Sequence, residues 1–282
     1  MADSRQARSA FARLHQGGCF VIPNPWDVGT ALTLKHLGFP ALATTSAGFA
    51  FSHGLSDTDW AVPRDSMLAH IAEIIAATDL PVNADFESGY AHDCEGLIRN
   101  VRLCADTGVA GLSIEDATGD PGKPLYDFGH AVERVAAAAE ALKGTGVLLT
   151  ARCEALLVGD PAAEEEALRR LAAFAAAGAD VLYAPGLRSP GIIRAAVELV
   201  APKPVNLLVA APIGLSVPQI AELGVRRISL GSALNRAAWG GFLRAARALA
   251  EQGSFDALAE AEPFNAINGF FRECGSQRVD GA

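Results

Sequence analysis

Residues 81–90 read PVNADFESGY. A short apolar run delivers Asp85, skips one residue, delivers Glu87 and breaks at Gly89. Alternate side chains of an extended chain share a face. Two carboxylates therefore leave the end of a short strand toward one spot. Working outward, the same pattern returns: a helical stretch ends at Gly or Pro and a short β-rich run follows at once. It is seen in LGFPALATT (37–45), TGVAGLSIED (107–116), GTGVLLTAR (144–152), AGADVLYAPG (177–186), PKPVNLLV (202–209) and LGVRRISLG (223–231). With CFVIPNP (19–25) this makes eight candidate strands.

The runs are almost wholly apolar rather than alternating, which marks parallel strands covered on both faces. Strand–helix alternation repeated eight times is best met by a single closed (β/α)8 barrel, an α/β fold of the TIM type. The runner-up is an open doubly wound sheet. That fold usually carries a Gly-rich fingerprint after its first strand, and NPWDVGTA (24–31) is not one. Helix signals agree with the barrel. Phe11 and Leu14 suggest a short amphipathic helix ending near Gly17. Asp160-Pro161 reads as an N-cap with proline at N1, and Gly178 as the C′ residue of that helix. Ser216 with Pro218 starts another helix that ends at Gly224. The expected division is a catalytic barrel over 1–253 and a less regular, partly helical extension over 254–282. Its aromatic stretch AEPFNAINGFF (261–271) is expected to cap the barrel or pack on a second subunit.

The net charge of −9 argues against a nucleic-acid partner. The five cysteines are odd in number and form no Cys-x-x-Cys pair, so neither a disulfide framework nor a zinc site is indicated. A reducing cytoplasm is the expected compartment. No secretory leader and no membrane span is visible.

In such a barrel the active site lies at the C-terminal ends of the strands. Reading those ends in order gives a polar ring. It runs Asn24, Trp26 and Asp27; Thr44, Thr45 and Ser46; Asp85 and Glu87; Glu115 and Asp116; Arg152 and Glu154; Asn206; Ser232. Asp57 lies in the long segment after the second strand. Carboxylates that converge repel unless something neutralises them. An all-oxygen set suits Mg2+ or Mn2+. Arg152 is suited to pair with a carboxylate or phosphate of a substrate. Plainer readings stand beside these. Asp116 is better read as a turn cap than as a ligand, Arg152 could be a structural partner of Glu115, and Ser46 could satisfy its own turn. His53 and His92 read as surface residues, and Tyr126 and Lys123 as loop decoration.

TTSAG (44–48), PVNADFESGY, SIEDAT (113–118) and TARCEALL (150–157) together resemble the isocitrate lyase and phosphoenolpyruvate mutase superfamily, in order and spacing over roughly residues 10–250. The resemblance implies a Mg2+-binding barrel that makes or breaks a C–C or P–C bond of a 2-oxo acid. Carried over, Asp85 is the direct metal ligand, and Asp57, Glu87 and Glu115 hold metal-bound waters. Ser46, Ala47 and Gly48 bind the substrate carboxylate, and Arg152 contacts the substrate. Thr45, Asp85 and Asn206 join the expected substrate-binding set, and Arg152, Ser46 and Tyr126 are the expected catalytic residues. It also implies a dimer or tetramer with the last barrel helix, in NRAAWGGFLRAARALAEQG (235–253), swapped between subunits. Two departures are plain. The loop EDATGDPGKPLYDFG (115–129) has neither the Cys-Gly-His of the isocitrate-type lyases nor the Lys-Thr-Asn-Ser-like run of the phosphonopyruvate-type enzymes. Glu87 stands where Asp is usual.

The expected activity is that of a Mg2+-dependent carbon–carbon lyase on a small 2-oxo or 2-hydroxy di- or tricarboxylate, passing through an enolate. A P–C bond enzyme, phosphonopyruvate hydrolase or mutase in type, is the alternative, and a non-catalytic 2-oxo-acid binder the second. The general acid is open between Tyr126, Lys123 and His53. A Schiff-base aldolase is disfavoured, because the only lysines, Lys35, Lys123, Lys143 and Lys203, fall in expected helices or connecting loops.

Overall fold

The computed structural model describes residues 4–58, 60–158 and 162–279. The chain divides into two compact units, one reaching to Ser232 and one running from Ala233. In the first, helix α1 (Ser4–Leu14) precedes eight strands, of which the first seven are each followed by helix. The strands are β1 (Phe20–Ile22), β2 (Leu42–Ala43), β3 (Val82–Asp85), β4 (Gly111–Glu115), β5 (Leu148–Arg152), β6 (Val181–Tyr183), β7 (Val205–Leu208) and β8 (Arg227–Ser229). Between them lie α2 (Val28–His36), α3 (Ser46–Ser52), α4 (Arg64–Ala77), α5 (Cys94–Asp106), α6 (Phe128–Leu142), α7 (Ala163–Ala176), α8 (Pro190–Val200) and α9 (Val217–Glu222). All strand pairs are parallel, in the order β1-β8-β7-β6-β5-β4-β3-β2. This is the TIM-type α/β barrel that the alternation implies.

The seam between β1 and β2 is closed by a thin stitch. Ala43 N–H donates to Pro23 O at 3.0 Å. Just above, the Asn24 side chain donates to Thr44 O at 2.9 Å and accepts from the N–H groups of Leu230 and Gly231 at 3.0 and 2.9 Å. One amide thus ties the ends of β1, β2 and β8.

The helix signals act locally as expected. Gly178 follows the end of α7 with φ 111°, and a Cβ there would come within 2.9 Å of the Ala139 Cβ. Ser216 and Gln219 form a capping box at the start of α9. Asp27 is the N-cap of α2, its carboxylate accepting from Thr30 N–H at 2.7 Å. Asp160-Pro161 lies outside the described residues.

Helix α1 plugs the barrel floor. Phe11 is fully buried and meets Phe20 and His15 edge-on. Arg8 donates to the carbonyls of Val109, Thr145 and Ala105 at 3.0, 2.9 and 2.8 Å. Above this floor the barrel interior is polar. Arg227 on β8 donates to Asn206 Oδ1 at 2.8 Å, to Thr150 Oγ1 at 3.0 Å and, more loosely, to His15 Nε2 at 3.4 Å. All three partners are neutral acceptors. Burial without a carboxylate among these partners lowers the Arg227 pKa to about 10, which leaves it charged at neutral pH.

The second unit holds α10 (Ala233–Gln252), a 3-10 turn (Asp256–Glu260) and α11 (Phe264–Val279). The stretch beyond Gly253, less regular by sequence, thus contains a 16-residue helix. Trp239, Phe242, Phe264 and Phe271 are exposed. Among the described residues no helix is long and apolar enough to cross a membrane.

Candidate active site

A cavity of about 460 Å3 opens at the C-terminal ends of the strands. It is lined by Asp57, Asp85, Glu87, Glu115, Glu154, Arg152 and Arg227, with Thr45, Ser46, Ala47, Tyr183 and Asn206 among the rest of the wall. The in-register pairs Glu115↔Arg152 and Arg152↔Tyr183 explain why acid, base and phenol stand side by side.

Arg152 lies at the centre of the acids. Its Nη1 is 3.0 Å from Glu115 Oε2 and 3.6 Å from Asp85 Oδ1, and its Nε donates to Glu154. The plainer sequence reading, Arg152 as partner of Glu115, is therefore part of the geometry, with Glu154 as a second partner. Asp85 Oδ2 accepts from both the N–H and the Oγ–H of Ser46, each at 3.0 Å. Asp85 N–H donates to Thr44 Oγ1 at 2.9 Å, which fixes the strand end. Glu87 accepts from Trp60 N–H at 2.9 Å and from the Tyr90 hydroxyl at 2.6 Å.

Not every expected residue reaches the cavity. Gly48 lies in the first turn of α3, its N–H capped by Thr45 Oγ1 at 3.2 Å. Asn206 lines the cavity, yet its amide is engaged by Arg227 and by Ser229 Oγ. Tyr126 is buried away from the cavity, with its hydroxyl 2.7 Å from His92 Nδ1. Lys123 pairs with Asp127 at 2.6 Å on the surface, and His53 is exposed, 3.0 Å from the Phe49 carbonyl. Asp116 is buried behind the wall, accepting from Glu154 N–H at 2.8 Å and Arg170 at 3.0 Å, which is a structural brace. The phenol that does line the cavity is Tyr183, in VLYAPG. Burial, against the pull of Arg152, pushes its pKa up to about 12. Its apolar strand context hid it; only its place as the inward partner of Arg152 gives it away.

The charges on the wall do not balance. Five carboxylates face two guanidiniums. Burial and then the neighbouring carboxylates push Glu115 well above the usual carboxylate range, with Arg152 pulling the other way. Asp57 is raised by burial and then by Asp85, again against Arg152. Among the described residues no three acids, histidines or cysteines stand close enough to hold one ion by themselves. A cation held by these acids would need retained waters to complete its shell, as Mg2+ commonly keeps them.

An acid-rich cavity at this end of a (β/α)8 barrel is the layout of an enzyme active site. The chain belongs to the phosphoenolpyruvate phosphomutase family, whose model matches residues 11–250. It is an enzyme of a superfamily of carbon–carbon lyases and mutases. A solved protein from Burkholderia cenocepacia J2315, provisionally described as a lyase/mutase, is 45% identical, with a TM-score of 0.90 over 95% of this chain and 96% of that one. Oxaloacetate decarboxylase from Paraburkholderia xenovorans is 29% identical over 83% of this chain and 77% of its own. The 2,3-dimethylmalate lyase structure, a member of the PEP mutase/isocitrate lyase superfamily, is 26% identical with a TM-score of 0.83, covering 100% of this chain and 98% of that one.

Proposed function

We propose that this chain is a Mg2+- or Mn2+-dependent lyase that breaks the C–C bond beside the oxygen-bearing carbon of a small 2-oxo or 2-hydroxy acid. Decarboxylation of an oxaloacetate-like acid and retro-aldol cleavage are the two forms that suit the cavity. The observation that carries the reading is the surplus of carboxylate over guanidinium on the wall of one cavity at the strand ends. Asp85 would hold the cation, and Asp57, Glu87 and Glu115 its waters. When bound, the cation supplies Lewis-acid stabilisation of the negative charge that develops on the substrate oxygen.

The chain's own residues do the rest. Ser46 offers an N–H and a hydroxyl, now both on Asp85, to a substrate carboxylate. Arg152, braced by Glu115 and Glu154, sets a fixed positive charge beside that carboxylate. Tyr183 Oη lines the cavity and keeps its proton at neutral pH; it would give that proton to the product carbon and regain one from the cleaved substrate hydroxyl in retro-aldol cleavage, or from water after decarboxylation. The relatives named a decarboxylase and a dimethylmalate lyase support a C–C reaction.

The test is turnover of a panel of 2-oxo acids, 2-hydroxy acids and phosphonopyruvate with and without Mg2+. Release of pyruvate or CO2 that EDTA abolishes is the expected result. Phosphate release from phosphonopyruvate would favour the P–C reading, and binding with no product a non-catalytic role. Asp85→Ala is expected to leave a folded barrel and to lower divalent-dependent turnover more than about 100-fold; retained turnover overturns the assignment. The exposed Trp239, Phe242 and Phe264 support self-association through the residues from Ala233 on, including the helix exchange the resemblance implies. Sedimentation of the protein and of Phe242→Asp decides it, and a monomer in both would end that reading.

A further inference from the structure

Among the described residues three non-glycine residues adopt left-handed backbone: Trp60 (φ 53°), Glu87 (φ 46°) and Tyr90 (φ 55°). Such conformations are uncommon for residues with side chains and persist where surrounding contacts enforce them. All three meet at one carboxylate. Glu87 Oε2 accepts from Trp60 N–H at 2.9 Å, and Glu87 Oε1 from the Tyr90 hydroxyl at 2.6 Å.

One side of this meeting point is rigid. The loop at 88–92 is held from beneath by Arg134, which donates to the carbonyls of Ala91 and His92 at 2.7 and 2.6 Å and to Ser88 O. Asn100 donates to the carbonyls of Gly89 and Tyr90 at 3.0 and 2.9 Å, and is itself fixed by Arg64 at 2.9 Å. The other side is a strap. Among the described residues, the backbone hydrogen bonds of 55–62 other than that of Trp60 stay local, as in Leu55 N–H to Ala50 O and Thr58 N–H to Ser56 O. Val62 at the end of the segment is buried in the core, and Trp60 carries hydrogen bonds across to the loop, through its N–H to Glu87 and its indole Nε1–H to Ser88 Oγ at 2.9 Å. Its ring lies 4.8 Å from that of His92. Asp57, three residues before Trp60, lines the cavity.

We propose that Glu87 is a positioning residue whose carboxylate clasps the 55–62 segment, through Trp60, onto the prebuilt loop at 88–92, and so sets where Asp57 stands. This gives Glu87 a task apart from holding a cation's water. It also explains the longer side chain, because an aspartate is one methylene short of spanning Trp60 N–H and the Tyr90 hydroxyl. That Asp57 then holds a cation's water rests on the function proposed above; the clasp itself does not.

The test is amide hydrogen exchange on the metal-free, substrate-free protein. In Glu87→Gln and in Glu87→Asp, exchange over 55–62 is expected to accelerate about tenfold, the effect of losing a charge-assisted hydrogen bond. Peptides over 148–152 should keep wild-type protection, which shows an intact barrel. Asp85→Asn should leave 55–62 unchanged. Unchanged exchange in both Glu87 variants overturns the clasp, and equal acceleration in Asp85→Asn overturns it as well, since the cause would then be charge in general. If neither Glu87 variant folds, Tyr90→Phe removes one donor and is expected to accelerate 55–62 about threefold; wild-type exchange there refutes the proposal. These readouts stay separate from turnover, so failure of the lyase reading leaves the clasp testable.

Discussion

His70 is buried against Phe49, the rings stacked at 3.9 Å, and its Nε2 has no hydrogen-bond partner among the described residues. Burial first, and then the nearby His53, lower its pKa to about 4. In the unfolded chain it takes a proton near 6.5, whereas in the barrel it stays neutral. Its contribution to stability is complete above 6.5 and is lost as the pH falls from there toward 4. At pH 5 the loss is about 2 kcal/mol. His70→Phe keeps the stack and removes the titration. Denaturant midpoints at pH 7 and pH 5 should therefore differ less in the variant than in wild type, and an equal difference would refute this account. Arg152 poses the second question at this scale. Arg152→Lys keeps the charge but cannot serve Glu115 and Glu154 with one planar fork. If Arg152 contacts substrate, KM should rise about tenfold or more; a lower melting temperature with unchanged KM would make it a brace alone.

At the scale of elements, the loop that ends β3 depends on Gly89. Its φ is 81°, and a Cβ there would lie 2.2 Å from Leu97 Cδ1 on α5. Gly89→Ala is expected to cost about 2–4 kcal/mol from left-handed strain and overpacking together, measured by chemical denaturation. The break at Gly89 was visible in PVNADFESGY, and so was the inward aim of Asp85, because alternation on a strand is a strictly local property. The same locality made α9 and the end of α7 readable from Ser216, Gly224 and Gly178. What Trp60 and Tyr90 do was not readable. Their left-handed backbone accompanies hydrogen bonds to Glu87, 27 residues away in one case, and no propensity of Trp or Tyr announces it. Tyr183 was missed for a related reason: on an apolar strand only its register with Arg152 turns it toward the cavity. Tyr126 drew notice through its place in a loop, and a contact with His92 keeps it elsewhere.

Across the whole molecule, the barrel was legible because eight apolar runs in one chain leave few other architectures. The polar interior was less so. Thr150, Asn206 and Arg227 sit singly within apolar strands and gain meaning only when the sheet curls and sets them around one axis. The floor beneath them is sealed by α1, and Phe11→Ala should cost about 3–5 kcal/mol and lower the melting temperature without altering the cavity wall.

The Asn24 stitch carries a kinetic consequence. Its partners Leu230 and Gly231 lie more than 200 positions away, at |i−j| of 206 and 207. Contacts this distant are made late, after loop-closure entropy has been overcome elsewhere. A growing chain has no ladder partner for β1 until β8 has been synthesised. Until then the unpaired edges of β1 and of the newest strand stand open to wrong pairings. Asn24→Ala should therefore leave the refolding rate almost unchanged and speed unfolding, the mark of a bond formed after the transition state.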